Sequence, residues 1–85
     1  PFSTVKLVLE ISQKQAYRVY DEFEKEAIIK KPNGDFLIHV EFPENDWVYG
    51  YILSFGEDAE VIFPQYVRNT IRKKLRKNLR NYLKI

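Results

Sequence analysis

The chain has 85 residues, of which 45% are hydrophobic and 31% charged, a balance that predicts one compact domain rather than a disordered chain. It contains no cysteine and one histidine, which excludes disulfide scaffolds, cysteine-based zinc sites, cysteine nucleophiles and multi-histidine metal sites within one copy. No segment approaches the run of about 18 apolar residues that a membrane span needs, and no signal-peptide pattern opens the chain. Because the sequence begins with Pro1 and holds no methionine, we expect it to be a piece of a longer protein.

The net charge of +2 conceals an uneven distribution along the chain. Residues 1–63 contain all twelve acidic residues and six basic ones, and so carry a charge of −6. Residues 64–85 contain eight basic residues and no acid, and so carry +8. This asymmetry predicts either an anionic partner for the C-terminal segment, such as a nucleic acid, or its docking on the acidic part of the same chain or of a second copy.

A strand followed by a short helix is predicted at the start of the chain. From Val5 to Ile11 apolar residues alternate with other residues, which is the period of a strand that buries one face. Ser12 and Gln15 then have the spacing of a capping box, in which the serine caps a helix and the glutamine side chain bonds back to it. Apolar residues at intervals of three and four after Gln15 predict a short helix with one buried stripe.

A β-hairpin is predicted next. Residues 27–31 form a short strand, and the alternation from Phe36 to Phe42 predicts the returning strand. Between the two strands, Asn33 and Gly34 form a pair that readily adopts positive φ angles, and this pair predicts a type I′ turn.

A second helix is predicted after the hairpin. Either Glu44 or Asn45 can cap it, because both side chains accept hydrogen bonds from backbone N–H groups at a helix start. Its apolar face includes Trp47 and Tyr51, which we assign to the core rather than to the stacking of a ligand. Gly50 lies inside this helix at a cost of about 1 kcal/mol relative to alanine, which suggests a close approach of the helix backbone to the sheet.

The last predicted elements are a strand and a long helix. Gly56 suits the C-terminal cap of the second helix, residues 59–63 form the strand, and Pro64 opens the final helix. An apolar stripe from Val67 to Tyr82 runs along that helix, and basic residues occupy most of its remaining circumference.

The element order is therefore β-α-β-β-α-β followed by a long basic helix. It matches the α+β, ferredoxin-like arrangement, in which a four-stranded antiparallel sheet carries two helices on one face. We predict a single domain over residues 1–85, with a body of residues 1–63 and a C-terminal basic helix of residues 64–85.

An apolar patch is predicted on the sheet face away from the helices. Strand alternation places Leu37 there, and Val8 and Ile62 join it. These three residues form a candidate association surface, which the last helix, a neighbouring domain or a second copy could cover. The lone histidine, His39, shares that face and has no second ligand or nucleophile in a recognisable pattern beside it.

A distinctive pattern occupies the second half of the chain, in the segments GYILSFG (50–56), AEVIFP (59–64) and YVR (66–68). The pattern is a helix ending in a small residue, a hydrophobic residue and glycine, then a valine-containing strand that leads to proline, then a hydrophobic–arginine pair. It resembles the WCX domain, the C-terminal extension of bacterial WYL-domain transcriptional regulators. The first strand and the hairpin are also similar, so the similarity spans nearly the whole chain.

The resemblance implies a non-catalytic regulatory domain of a cytoplasmic, bacterial, DNA-binding protein. In that family an N-terminal winged helix and a WYL domain precede the extension, and these domains of the same parent chain would be its partners. Family members sense nucleic-acid or nucleotide-like ligands, and the extension contributes to dimerisation and in some members to the ligand-facing surface. The resemblance therefore implies a homodimer. From the sequence itself we expect no cofactor and no membrane association.

Six basic residues are candidate contacts to an anionic ligand or a nucleic acid. Arg68 matches the family arginine. The alternative interpretation is that Arg68 forms a local pair near the helix start, where the helix dipole disfavours an unpaired cation. The other five form one basic face, whose alternative is an ordinary solvated helix surface. They are Arg72, Lys73, Arg76, Lys77 and Arg80.

Two other functions remain open, a free-standing nucleic-acid-binding module that uses the final helix and a small-molecule-sensing ferredoxin-like domain.

Three acids, Glu57, Asp58 and Glu60, surround a turn but lack the alternating oxygen ligands of a calcium loop. No serine lies in a recognisable motif with histidine or lysine. We therefore expect no metal site, no catalytic residue and no enzymatic activity.

Overall fold

The structure, a computed structural model, describes residues 3–84, whose elements follow the predicted order. The four strands are β1 (Thr4–Ile11), β2 (Ile28–Lys30), β3 (Phe36–Pro43) and β4 (Ala59–Phe63). The three α-helices are α1 (Ala16–Glu22), α2 (Asp46–Leu53) and α3 (Gln65–Tyr82). Short 3₁₀ turns precede α1, β2 and β4.

All four strands belong to one antiparallel sheet with the order β2-β3-β1-β4. The predicted α+β class, the antiparallel sheet and the long C-terminal helix are confirmed. The sheet departs from a regular ferredoxin-like one in two places. β2 has only three residues, and the pairing of β1 with β4 shifts register between Val8 and Leu9.

The core lies between one face of the sheet and the helices. Alternate residues of β1 from Val5 to Ile11 are buried, as are Phe36 and Ile38 of β3, in agreement with the predicted alternation. Val19 of α1 packs in the same cluster, to which α2 also contributes its inward side chains. Every fully buried side chain among residues 3–84 is hydrophobic.

The hairpin turn differs from the predicted type I′ turn. A type I′ turn requires positive φ at both central residues, but within the described chain only glycines have positive φ. The turn instead begins one residue earlier, and the N–H of Gly34 donates to the carbonyl of Lys31 at 2.9 Å. Pro32 explains the shift, since its ring holds φ near −65° and suits the first central position of a type I turn. Gly34, at φ 95°, then closes a three-residue hairpin loop.

The predicted capping box at Ser12 forms only in part. The Ser12 hydroxyl accepts a hydrogen bond from the N–H of Lys14, so the serine does cap the 3₁₀ turn before α1. The N–H of Ser12, however, donates to the carbonyl of Asp58, and the Gln15 side chain donates to the Asp58 carboxylate. Both groups therefore tie the start of α1 to the turn before β4 instead of bonding to each other.

Gly50 lies on the solvent side of α2, so the predicted close approach to the sheet is wrong. A Cβ atom built at this position meets no heavy atom within 4 Å. We expect Gly50→Ala to raise the free energy of unfolding by about 0.5–1 kcal/mol, because alanine has less backbone entropy to lose in a helix. Urea unfolding measures the change. The control is Gly56→Ala, which should destabilise, since Gly56 has a φ of 62°. Ser54 is the C-cap of α2, so the predicted cap at Gly56 is wrong, and Gly56 begins the 3₁₀ turn before β4.

Only the first half of α3 packs on the body of the domain. Val67 is fully buried in the core cluster and Ile71 is partly buried, whereas every residue from Arg72 to Tyr82 is exposed. The projecting half lengthens the molecule, whose radius of gyration is 13.7 Å. A compact chain of this length would have about 12 Å.

Candidate interaction surfaces

The projecting half of α3, residues 72–82, is named the arm. It carries six cations and no acid, and no carboxylate of residues 3–84 forms a salt bridge with any of them. These cations are Arg72, Lys73, Lys74, Arg76, Lys77 and Arg80, so five of the six predicted contact residues lie together on the arm. The apolar stripe of the helix continues through Leu75, Leu79 and Tyr82, which are 49%, 56% and 75% exposed.

The arm is a helix with little internal support. Cations four residues apart on one side, such as Arg72 and Arg76, repel each other by a few tenths of a kcal/mol per pair. Isolated helices shorter than about 12–15 residues are marginal in water, and most helices depend on packing of an apolar face. A partner that neutralises the cations or covers the apolar stripe would therefore stabilise the arm.

Arg68 lies at the root of α3, apart from the cations of the arm. Its guanidinium donates to the Glu60 carboxylate and, at 2.9 Å, to the backbone carbonyl of Val61. β4 is an edge strand, so Arg68 occupies one of its backbone acceptors and anchors α3 there. About half of the Arg68 side chain remains exposed, and its predicted contact with a ligand or another domain stays a prediction.

A groove of about 280 Å³ runs between α2, β4 and α3. Apolar residues of all three elements line it, including Ile52, Val61 and Leu75. Arg68, Arg72 and the acid Glu60 also line it, and Arg68 is paired with Glu60, which leaves Arg72 as the excess positive charge of the lining. This combination fits a ligand that has both an apolar part and a negative charge.

The sheet face away from the helices, named the open face, is not covered by any described part of the chain. Val8 and Leu37 are half-buried there and Ile62 is 42% exposed, as their positions in the strands predict. Phe63 lies directly opposite Val8 and joins this face, as does Ile29, which lies opposite Leu37. The apolar patch is thus larger than the sequence pattern indicates.

The sequence pattern places Phe63 on the wrong side of the sheet. Regular alternation would put it beside the buried Val61. The register shift between β1 and β4 pairs Leu9 with Val61 but Val8 with Phe63, so Ile62 is the extra residue of a bulge. A bulge depends on how two distant strands pair, and the local sequence carries no signal for it.

Charged residues surround the apolar centre of the open face. Glu10 pairs with Lys31 at 3.0 Å, Glu41 accepts a hydrogen bond from Thr4, and Glu60 pairs with Arg68. His39 is exposed and lies opposite Val8, at the centre of this face. The open face therefore has an apolar middle and a polar rim, as protein interfaces do.

Comparison with known proteins identifies the family. The WCX domain family matches residues 3–79, which is nearly the whole chain. The chain belongs to the WCX domain family. It is also 35% identical over 34 residues to an uncharacterized HTH-type transcriptional regulator of Bacillus subtilis (strain 168), YobV. That match covers 40% of this chain and 11% of the regulator's length.

Residues 3–84 of this WCX domain contain no cluster of three or more histidine or acidic side chains that could hold a metal ion. None of the described helices is long and apolar enough to cross a membrane.

The aromatic residues of α2 in this WCX domain differ in part from the core assignment. Trp47 is 57% exposed and stacks on Tyr51 with ring centroids 5.1 Å apart. Tyr51 is half-buried, with Phe42 and Phe55 packed edge-on against its ring. Trp47 thus covers this aromatic cluster from outside and keeps one ring face in solvent.

A charged network joins α1 to α2 beside that cluster. Arg18 donates two hydrogen bonds to the Glu22 carboxylate, at 2.7 and 3.1 Å, and its guanidinium lies 3.8 Å from the ring centroid of Phe55. The Tyr51 hydroxyl donates to the same carboxylate at 2.6 Å. The hydrogen bond from Arg18 holds the pKa of Glu22 below its usual value, whereas burial raises the pKa of Tyr51.

This network predicts a pH dependence of stability. Because the pKa of Glu22 is lowered in the folded state, its contribution is present above its unfolded pKa near 4.5 and is lost as the pH falls through the lower folded value. We expect Glu22→Gln to reduce the free energy of unfolding at pH 7 by up to about 1 kcal/mol, since the pair is partly exposed. The difference from the unmodified chain should shrink between pH 5 and pH 3. Urea unfolding across this pH range measures it, and a constant difference would contradict the network.

Proposed function

We propose that this WCX domain is the non-catalytic C-terminal regulatory domain of a WYL-type, DNA-binding transcriptional regulator. It contributes to dimerisation and to sensing a ligand that is negatively charged and in part apolar, such as a nucleotide or a nucleic acid. The observation that carries the proposal is the pair of uncovered apolar surfaces, the open face and the arm, in a domain of the WCX family. Its similarity to an HTH-type regulator supports the regulatory role.

The proposed mechanism is a change in how two copies sit together. A ligand that binds at the boundary between the WYL and WCX domains favours one of two arrangements of the dimer, in proportion to its difference in affinity for them. The arrangement of the two WCX domains then sets the distance between the two DNA-reading heads of the parent protein. No bond is made or broken in this mechanism, and it needs no catalytic group.

Sedimentation of the 85-residue chain over a concentration series tests the dimerisation. We expect the mass to rise from one copy to two as the concentration increases. In a full-length regulator that carries this domain, deleting the domain should change the oligomeric state and weaken the response to ligand. The proposal is wrong if both properties of the full-length protein are unchanged by the deletion.

The groove is the proposed ligand contact within this domain, because it combines apolar walls with Arg68 and Arg72. Calorimetric titration with mononucleotides tests it in two variants. Arg72→Ala, at the groove, should weaken binding at least tenfold, whereas Lys77→Ala, which lies outside the lining, should leave it unchanged. Equal weakening in the two variants would assign the contact to the charge of the arm and not to the groove.

A second candidate function is direct nucleic-acid binding, which the unpaired cations of the arm favour. If five of them contact phosphates of a DNA duplex, the logarithm of the binding constant should fall with the logarithm of salt concentration at a slope of about −4.5. A slope near zero, or no binding at low salt, would exclude this function for the isolated chain.

A further inference from the structure

Two uncovered apolar surfaces of the domain belong to different parts of the fold. One is the open face, with Ile62 and Phe63 exposed on its edge strand β4. The other is the stripe of the arm, in which Leu79 and Tyr82 are more than half exposed. Exposed apolar patches of this kind mark interaction sites more often than scattered surface residues do.

The arm cannot cover the open face of its own chain. Val67 and Ile71 fasten the first half of α3 into the core on the helical side of the sheet. From Gln65 to Tyr82 the helix contains no proline and no glycine, so nothing in its sequence bends it back around the sheet edge. Whatever covers the open face therefore lies outside residues 3–84.

We propose that two copies of the chain exchange arms, so that the apolar stripe of each arm lies on the open face of the other copy. This rests on the self-association proposed above and specifies its interface. The exchange is reciprocal, as a two-fold dimer requires. Each sheet then has helices on both faces, a common way to bury both sides of a sheet.

Charge favours the body of a second copy over its arm. Residues 1–63 carry −6, whereas the arm carries six cations and no acid. Two arms packed along each other would bring like charges together, and a cation on one helix would find no carboxylate on the other. An arm on the open face instead meets Glu10, Glu41 and Glu60, together with one cation of that face, Lys6, which lies opposite Glu41. Each of these carboxylates already has one partner but can accept further hydrogen bonds.

The apolar stripe favours a protein surface over a nucleic acid. Phosphates would neutralise the cations of the arm but would leave Leu79 and Tyr82 in water. The open face supplies apolar partners for these side chains and carboxylates for their neighbours. The open face therefore provides partners for both the apolar stripe and the cations of the arm, whereas a nucleic acid provides partners for the cations alone.

The dimensions of the two surfaces are compatible. Residues 72–82 of the arm span about 16 Å at the usual helical rise. The two central strands, β1 and β3, have eight residues each and so extend about 26 Å. One arm therefore fits along the open face without overhanging it.

Cysteine cross-linking tests the exchange directly, because the chain has no cysteine of its own. One preparation carries Leu79→Cys on the arm and the other Leu37→Cys on the open face, and the two are mixed in equal amounts with oxidised glutathione. We expect the mixed disulfide to form at least fivefold faster than either disulfide between like chains. Lys77→Cys, on the far side of the arm, and Tyr17→Cys, exposed on α1, are the matched controls and should cross-link slowly.

The outcomes separate this interface from the proposed function. A dimer in which chains with Leu37→Cys link mainly to each other means that two open faces pack together, which overturns arm exchange and leaves dimerisation standing. A dimer linked mainly through Leu79→Cys on both chains means that the arms pair, with the same consequence. A chain that stays monomeric in the sedimentation series overturns both. Binding of duplex DNA by chains whose mixed disulfide forms no faster than in the Lys77→Cys and Tyr17→Cys controls would make nucleic acid the occupant of the arm and would also overturn the exchange.

Discussion

Replacing Ile38 by alanine is expected to lower the free energy of unfolding by about 2–5 kcal/mol. Ile38 is fully buried at the centre of β3, where it lies opposite Leu9 on one side and Ile28 on the other. Removing its side chain leaves a cavity that three neighbouring strands cannot close without breaking their pairing. Domains of this size have a total stability of about 5–10 kcal/mol, so urea unfolding should show a large fall in the midpoint.

The preceding residue of the same strand, Leu37, is the control. Leu37 points to the open face and is half-buried, so Leu37→Ala should cost less than about 1 kcal/mol in the same measurement. The two substitutions remove a similar side chain from adjacent positions, and only the face of the sheet differs. Equal losses would show that the open face is covered within one chain, which would contradict the architecture described above.

Side-chain alternation predicted this contrast from the sequence because burial of one sheet face is a local pattern. β1 and β3 each keep a period of two over eight residues, and a slip by one residue would expose the whole core face. The hairpin turn was predicted less well. The Asn33-Gly34 pair outweighed Pro32 in the sequence analysis, although the fixed φ of proline decides where the turn begins.

Features that depend on distant partners could not be predicted. The bulge that turns Phe63 to the open face arises from the pairing of β4 with β1, which are separated by almost fifty residues. Trp47 was assigned to the core because it lies on the predicted apolar face of α2. That helix is apolar on most of its surface, so its pattern does not distinguish a buried side from an exposed one. Its exposure follows from the position of α2 on the sheet.

The extent to which α3 packs on the domain could not be predicted either. Its apolar stripe was predicted through Tyr82, and the helix does end there. The period of the stripe marks a face but gives no information on how much of that face the domain covers. Burial against the body ends at Ile71, beyond which Leu75 only lines the groove and Lys74 lies 5.5 Å from the ring centroid of Tyr49. This mismatch between the length of the stripe and the size of the body defines the arm.

Truncating an apolar side chain is expected to destabilise the first half of α3 but not the second. Val67→Ala removes a fully buried side chain and should lower the free energy of unfolding by about 2 kcal/mol. Leu79→Ala removes a side chain that is mostly in water, and alanine is the better helix former, so the unfolding of the monomer should change by less than about 0.5 kcal/mol. Urea unfolding at a concentration below that of dimerisation compares the two.

The affinity of dimerisation, in contrast to the stability of the monomer, should depend strongly on Leu79. In a two-fold dimer each substitution occurs twice, and each Leu79 side chain that loses an apolar contact contributes separately to the affinity. With about 1–1.5 kcal/mol lost at each site, the dissociation constant should rise by about 30-fold to more than 100-fold. Sedimentation over a concentration series measures the change. A Leu79→Ala chain that dimerises as tightly as the unmodified chain would show that the arm lies outside the interface. The urea measurement would already have shown that the stability of the monomer does not depend on this side chain.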